Sequence, residues 1–190
     1  MFTFDVSVYS LWAPLLLSAV LVFIASAVIH MTPLWHKRDF PRMAREPEVL
    51  AALRPLAIPP GDYFIPRAEG MKEMRTPEFK DKLAKGPVVV MTVMPNGMIN
   101  MNKSLAQWFV FVLVVSGFVA LVDSRALPTH AEYPHVFKVT WIVAFMGYAL
   151  ALTELSIWYR RAWSLTLKAF LDGVIYAALT AGTFAWLWPR

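Results

Sequence analysis

Four long apolar stretches with few charges constrain this chain more than any other feature of its sequence. Val8 to Ile29 contains no charged residue over 22 positions, and Leu105 to Val122 contains none over 18. Phe137 to Ser156 and Trp163 to Trp188 are similarly apolar but include a few ionisable residues. Because about 20 apolar helical residues cross the hydrocarbon core of a bilayer, we predict four transmembrane helices.

The composition also indicates a membrane protein. Hydrophobic residues make up 58% of the 190 residues and charged residues 16%, whereas a soluble domain is about half apolar and about a quarter charged. Cysteine is absent, which excludes disulfides, thiolate metal sites and a cysteine nucleophile. The common phosphate-loop, dinucleotide, hydrolase and zinc-protease motifs do not occur. We therefore predict an all-α integral membrane protein, and we assign it no catalytic residue, no metal site and no cofactor.

The chain divides into three regions. Residues 1–29 contain the first span, residues 30–104 form a Pro-rich segment, and residues 105–190 contain spans two to four. Ten of the 14 prolines lie between Pro33 and Pro95, which excludes one long helix in this segment. Short helices separated by turns are expected there instead.

Specific residues mark these short elements. Pro47 to Arg54 suits a helix that begins with proline, and Thr76 can cap a second helix that ends at Lys85. A turn is predicted at residues 59–62, and Ser104 is predicted to cap span two.

A small hairpin is predicted at the end of the Pro-rich segment. The β-branched and apolar run Val88 to Met94 is followed by a turn at residues 95–97 and by Met98 to Met101. Because a lone hairpin is only marginally stable in water, we expect it to lie against the membrane or against another subunit.

Lys and Arg are distributed unevenly between the two sides of the predicted bundle. The segment from His30 to Ser104 holds 12 of the 18 Lys and Arg residues, and the turn between spans three and four adds Arg160 and Arg161. On the other side, the loop from Asp123 to Val136 contributes Arg125 alone. Because positive residues near a membrane favour the cytoplasmic side, we predict a cytoplasmic Pro-rich segment with both termini outside.

The basic residues are expected to contact anionic lipid headgroups and not nucleic acid. The formal net charge is +5, but residues 30–104 also carry eight acidic residues and so form no polybasic tail. His36, Lys37 and Arg38 are expected at the headgroups. His30 and His36 are separated from His130 and His135 by about 30 Å of hydrocarbon, so we predict no haem held between the two pairs. The outer pair, with nearby acidic residues, could form a surface metal site, but a solvated loop is favoured.

Ionisable residues inside spans three and four form a predicted intramembrane polar cluster. Glu154 and Lys168 lie at nearly equal distances from the turn that joins the two spans, so we expect them to pair. Asp172 and then Tyr176 follow Lys168 on one helix face at intervals of one turn. Asp172 is expected about 14 Å from the inner end of the span, near the middle of the bilayer. Such a cluster either pins two helices together or handles a proton, an ion or a quinone-type ligand.

Three further motifs can be recognised along the chain. They are His30-Met31-x-Pro33-Leu34-Trp35-His36-Lys37-x-Asp39, Gly86-Pro87 followed by Met94-Pro95-Asn96-Gly97, and Asp172-Gly173 with Tyr176-Ala177 and Thr180-Ala181-Gly182-Thr183-Phe184-x-Trp186-Leu187-Trp188-Pro189. Together they resemble a group of small four-span proteins of the bacterial inner membrane that has no assigned activity. The resemblance implies a bacterial inner (plasma) membrane and brings no site or ligand with it.

These observations favour a non-catalytic integral membrane subunit. On span three, Ala144, Gly147 and Ala151 share the face of Glu154 and would let span four approach closely. Further small residues, such as Gly173, Ala177 and Gly182, would let helices of partner subunits or of further copies approach closely. The Pro-rich segment would present a docking surface. The alternative is a small transporter or membrane enzyme that uses Glu154, Lys168 and Asp172.

Overall fold

Four helices of the chain are long and apolar enough to cross a membrane, as predicted. In the computed structural model, which describes residues 6–32 and 35–189, they are Val8–Met31, Met101–Ala126, Tyr133–Trp158 and Trp163–Trp186. The chain is therefore a multi-pass membrane protein, mostly helical, with one small two-stranded sheet.

The elements follow one another in a simple order. They are α1 (Trp12–Met31), α2 (Glu46–Leu53), β1 (Gly61–Ile65), α3 (Met71–Met74), α4 (Pro77–Lys85), β2 (Val89–Val93), α5 (Met101–Ala126), α6 (Tyr133–Tyr148), α7 (Thr153–Trp158) and α8 (Trp163–Trp186). A 3₁₀ turn, Val8–Leu11, precedes α1, and another, Leu150–Leu152, separates α6 from α7.

The chain forms two compact units. One unit contains the long helices and consists of the chain up to Phe40 together with the chain from Asn100 onward. The other unit is Pro41–Ile99. In the first unit α6 packs along α8, α1 packs on α8 and α5, and α5 packs on α6. Its core is built from β-branched, aromatic and small side chains that face between the helices: Val22, Val112, Val119, Val136, Ala144, Ala177 and Phe184.

Glycines mark the closest approaches between the spans. A Cβ placed on Gly173 of α8 would lie 2.5 Å from the Cβ of Ala149, and one placed on Gly147 would lie 2.9 Å from Val115 Cγ1. Gly173, which we expected at a contact with a partner subunit, therefore allows spans three and four to meet closely. Gly147, which we expected at the contact between spans three and four, lies against α5 instead.

The third span is not one continuous helix. α6 ends at Tyr148, and Ala149 has φ −132° and ψ −40°, outside the helical range. α7 resumes after the 3₁₀ turn and is joined to α8 by a hydrogen bond of 2.6 Å between the hydroxyls of Ser156 and Thr166. This pair fixes the relative depth of the two antiparallel helices.

Buried polar side chains also connect the spans. Trp108 Nε1 donates to Ser26 Oγ at 2.8 Å, which joins α5 to α1. Thr140 Oγ1 donates to Asp123 Oδ2 at 2.5 Å, which joins α6 to α5. Asp123 was expected at the start of an outer loop, but α5 continues to Ala126 and buries this carboxylate completely.

Two of the predicted short helices are confirmed in the second unit. α2 carries proline in its first turn, and Thr76 Oγ1 accepts a hydrogen bond of 3.2 Å from the N–H of Phe79 to cap α4. The cap of span two is different from the prediction. Asn100 Oδ1 accepts from the N–H of Lys103 at 3.1 Å, so Asn100 and not Ser104 caps α5.

The predicted hairpin is wrong in its pairing. β2 forms where expected, but it pairs antiparallel with β1, in a register that places Gly61 opposite Val93 and Ile65 opposite Val89. Gly61 and Asp62, predicted in a turn, begin β1. Residues 98–101 do not form a strand, because Asn100 caps α5 and the helix begins at Met101.

Candidate functional site

The carboxylate of Asp172 in α8 is buried and is held by two residues that follow α1. Its Oδ1 accepts a hydrogen bond of 2.9 Å from Trp35 Nε1, and its Oδ2 lies 2.8 Å from His36 Nε2. Both contacts join positions far apart in sequence. They anchor the chain segment after α1 onto α8.

Asp39 extends this network. A backbone hydrogen bond of 3.0 Å from the N–H of Asp39 to the carbonyl of His36 closes a turn that brings both side chains together. Asp39 Oδ2 lies 2.6 Å from His36 Nδ1, and Asp39 Oδ1 accepts from Lys168 Nζ at 2.5 Å. Burial would raise the pKa of Asp39, but the hydrogen bonds and positive charges of Lys168 and His36 outweigh it and hold this pKa below the ordinary value of an aspartate.

His36 therefore lies between two carboxylates, one at each ring nitrogen. Ionised carboxylates only accept hydrogen bonds, so the doubly protonated imidazolium is the form that satisfies both contacts. With Lys168, two positive charges then face the two negative charges of Asp39 and Asp172. This balance lets four ionisable groups share a site that is largely shielded from solvent.

His30 lies beside this network at the end of α1. Its ring stacks on that of His36, with centroids 4.5 Å apart and an angle of 11° between the planes. His30 Nδ1 lies 2.9 Å from the carbonyl oxygen of Ser26. A carbonyl only accepts, so Nδ1 carries the proton, and the lone pair of Nε2 is available in the neutral ring.

The nitrogen and oxygen atoms of His30, His36 and Asp172 that could bind a metal lie within 4.8 Å of one another. We refer to these three residues, together with Trp35, Asp39 and Lys168, as the His–Asp cluster. The cluster contains donors of the kind that borderline and hard cations prefer.

Two residues of the predicted intramembrane polar cluster belong to the His–Asp cluster, and two do not. Lys168 and Asp172 are in it. Glu154 is exposed, and within the described ranges it forms no ion pair with Lys168. The Ser156–Thr166 hydrogen bond places Glu154 and Lys168 at similar depth, as predicted, but Lys168 points to Asp39 instead.

Tyr176 is the other predicted residue outside the cluster. Its ring packs against Trp108 and Tyr148, with centroids 6.1 Å and 5.6 Å away. Its buried hydroxyl has no hydrogen-bond partner in the part of the chain that the structure describes. Asp172 takes its hydrogen bonds from Trp35 and His36 and none from Tyr176.

The structure places Asp172 nine residues after the start of α8, with its carboxylate beside His30 of the last turn of α1. It also corrects the environment expected for His36. His36 faces two carboxylates and is mostly buried, whereas we expected it at lipid headgroups. The roles of Trp35, His36 and Asp39 were missed, although the three-residue spacing of His36 and Asp39 in a short turn was a usable signal.

Comparisons with known proteins add no identification. No protein-family model, no curated protein and no solved structure matches the chain. The geometry described above therefore carries the functional argument.

Proposed function

We propose that this chain is a non-catalytic integral membrane subunit that packs against a partner membrane protein or a further copy of itself, with Pro41–Ile99 as the docking surface. One observation carries this proposal. Phe79 is the single buried side chain of Pro41–Ile99, all of which the structure describes. A unit of this size with so little core gains little free energy from folding alone, so we infer that a partner supplies the missing burial.

One face of the sheet of this unit is exposed. Phe64 and Val90 are paired across the strands and are 48% and 44% exposed, and Asp62 and Thr92 lie beside them on the same face. Val88 and Met94, just outside the two ends of β2, are also exposed and apolar. A two-stranded sheet is marginal in water, and contiguous exposed apolar surface marks an interaction site.

A protein partner suits this surface better than lipid. Pro41–Ile99 carries nine Lys and Arg and seven Asp and Glu residues, so it has little net attraction for an anionic membrane. Burying the sheet face in lipid would also desolvate the Asp62 carboxylate beside Val90. In addition, within the described residues β1 and β2 pair only with each other, which leaves outer strand edges that another polypeptide chain can hydrogen-bond.

The proposal includes a location and an orientation. We place the protein in a bacterial inner membrane, with the Lys- and Arg-rich segment in the cytoplasm and the termini outside. The uneven distribution of Lys and Arg supports this orientation. Anionic headgroups would contact the basic residues nearest the spans.

Site-specific photo-crosslinking in native membranes tests the docking surface. A photoreactive residue in place of Val90 should give a discrete protein adduct, and the mass of the adduct distinguishes a second copy from a different subunit. The same residue in place of Lys80, which is exposed on α4, serves as the control and should give none. Lipid adducts alone at position 90, or equal adducts at both positions, would reject the proposal.

A substitution gives a second test of the same surface. Val90→Glu places a charge at the centre of the apolar patch and should reduce the adduct formed from position 64 by about tenfold, because an unpaired charge at an interface costs more than about 1.4 kcal/mol. Lys80→Glu changes charge in the same unit and should leave the adduct unchanged.

The alternative function, a small transporter or membrane enzyme, is favoured by one observation, the concentration of shielded charges in the His–Asp cluster. In that case His36 and Asp39 would act with Lys168 and Asp172, and Glu154 would not take part. Proteoliposomes containing the purified chain would then show proton or ion flux. Loss of that flux in Asp172→Asn, with normal protein levels, would favour the alternative.

A further inference from the structure

We propose that His30, His36 and Asp172 form a binding site for a divalent transition-metal ion, of which Zn²⁺ best suits the donors. This inference goes beyond the role as a membrane subunit and does not depend on it. Two imidazoles and one carboxylate supply nitrogen and oxygen donors, and their candidate atoms lie within 4.8 Å of one another. Zn²⁺ commonly takes three such protein ligands together with water at a fourth, tetrahedral position.

The orientation of the two imidazoles supports a metal site. A histidine that binds a metal through one ring nitrogen usually donates the other N–H to a carbonyl or a carboxylate. His30 does so to the carbonyl of Ser26 at 2.9 Å, and His36 faces Asp39 through Nδ1 at 2.6 Å. These contacts leave the Nε2 atoms of both rings for a metal.

The carboxylate ligand is oriented in the same way. Trp35 Nε1 donates to Oδ1 of Asp172 at 2.9 Å, which leaves Oδ2 directed at His36. Asp39, whose carboxylate contacts His36 Nδ1, is in turn held by the ammonium group of Lys168, which balances its charge. Each of the three proposed ligands thus has a further polar contact that fixes it.

Binding requires only a local exchange. The proton between His36 Nε2 and Asp172 Oδ2, now 2.8 Å apart, leaves to solvent, and the metal ion takes its place. His30, exposed and stacked on His36, then turns its Nε2 to the ion. No redox step or further reactant is involved. The bound ion would link the end of α1 and the turn after it to α8.

Metal binding by the purified full chain tests this site. The protein is prepared in detergent without a histidine tag, and Zn²⁺ binding is measured by competition with a chromophoric chelator. We expect one Zn²⁺ per chain. Co²⁺ should bind at the same stoichiometry and give the visible absorption of a four-coordinate site with nitrogen and oxygen ligands.

A pair of histidine variants makes the test specific. His30→Ala removes a proposed ligand that is exposed, and it should weaken Zn²⁺ binding at least about tenfold. His135→Ala, an exposed histidine of α6, should leave binding unchanged. Stoichiometry well below one, or equal affinity in wild type and both variants, would overturn the proposal.

A third variant tests the supporting contact. Asp39→Asn keeps the size of the side chain and should weaken Zn²⁺ binding by about 10–100-fold, because the carboxylate no longer orients His36. Circular dichroism and gel filtration confirm that each variant is folded, and if Asp39→Asn does not accumulate, His30→Ala decides the question. An unchanged affinity in folded Asp39→Asn would contradict the geometry that we assign to His36.

Discussion

Lys168 of α8 donates a hydrogen bond to Asp39 at 2.5 Å, across 129 positions of the sequence. The pair ties the segment that follows the first span to the fourth span. It also explains why Lys168 does not meet Glu154, its predicted partner, although the two lie at similar depth. A carboxylate that also contacts His36 offers Lys168 a network in which every charge is balanced.

A double-mutant cycle should confirm this pair. Lys168→Met and Asp39→Asn each lower the free energy of unfolding, but the double variant should lose less than the sum of the two, with a coupling of about 0.5–3 kcal/mol. Unfolding in mixed micelles with increasing SDS measures the three values. Lys168→Met combined with Glu154→Gln is the matched control and should be additive. Coupling between Lys168 and Glu154, without coupling between Lys168 and Asp39, would show that Glu154 is the partner of Lys168.

A second prediction concerns the close contact between spans three and four. Gly173→Ala would place a methyl group 2.5 Å from the Cβ of Ala149, so we expect a loss of about 1–3 kcal/mol in stability. Gly117→Ala is the control, since nothing lies within 4 Å of a Cβ at that position. There, the higher helix propensity of alanine should leave stability unchanged or slightly raised. Equal effects of the two changes would contradict the packing.

The buried carboxylate of α5 gives a third prediction. Thr140→Val removes the hydroxyl that donates to Asp123 Oδ2 and should cost about 1–3 kcal/mol, because a buried acceptor loses its donor. Adding Asp123→Leu to Thr140→Val should recover part of this loss, since no unpaired carboxylate then remains. A double variant less stable than Thr140→Val would mean that Asp123 has another essential partner.

Tyr176 gives the opposite expectation. Its hydroxyl is buried without a hydrogen-bond partner in the described ranges, so removing it costs no hydrogen bond. Tyr176→Phe keeps the ring against Trp108 and should leave the midpoint of thermal unfolding unchanged or raise it. A clear decrease would reveal a polar partner, such as a water molecule or another subunit.

The four spans were predictable because length and hydropathy are local properties of the sequence. The cap of α4 was predictable, because Thr76 directly precedes the proline that begins the helix. The cap of α5 was not, because the helix begins earlier than predicted and Asn100, four residues before Ser104, caps it. The pairing of β1 with β2 was not predictable, because it joins strands separated by two helices. The turn residues 95–97 favour a hairpin. The second strand predicted over residues 98–101, however, overlaps the cap and the first residue of α5.

The candidate site was predictable only in part for the same reason. Helical spacing correctly placed Lys168 and Asp172 on one face of α8. Their partners, His36 and Asp39, lie in a turn after α1, and the sequence of that turn does not indicate that it folds back onto α8. Equal depth suggested Glu154, but depth alone does not decide which face of a helix meets its neighbour.

Membrane orientation gives the last prediction. The chain has no cysteine, so single cysteines introduced at exposed positions report sidedness without background. Arg42→Cys and Arg161→Cys should be protected from a membrane-impermeant thiol reagent in intact cells, because Lys and Arg are concentrated on their side of the spans. Arg125→Cys, near the end of α5, should be labelled. Lysing the cells should expose the first two positions to the reagent, which controls for burial in a complex. Labelling of Arg42→Cys and Arg161→Cys in intact cells, with Arg125→Cys protected, would reverse the topology and place the docking surface outside the cytoplasm.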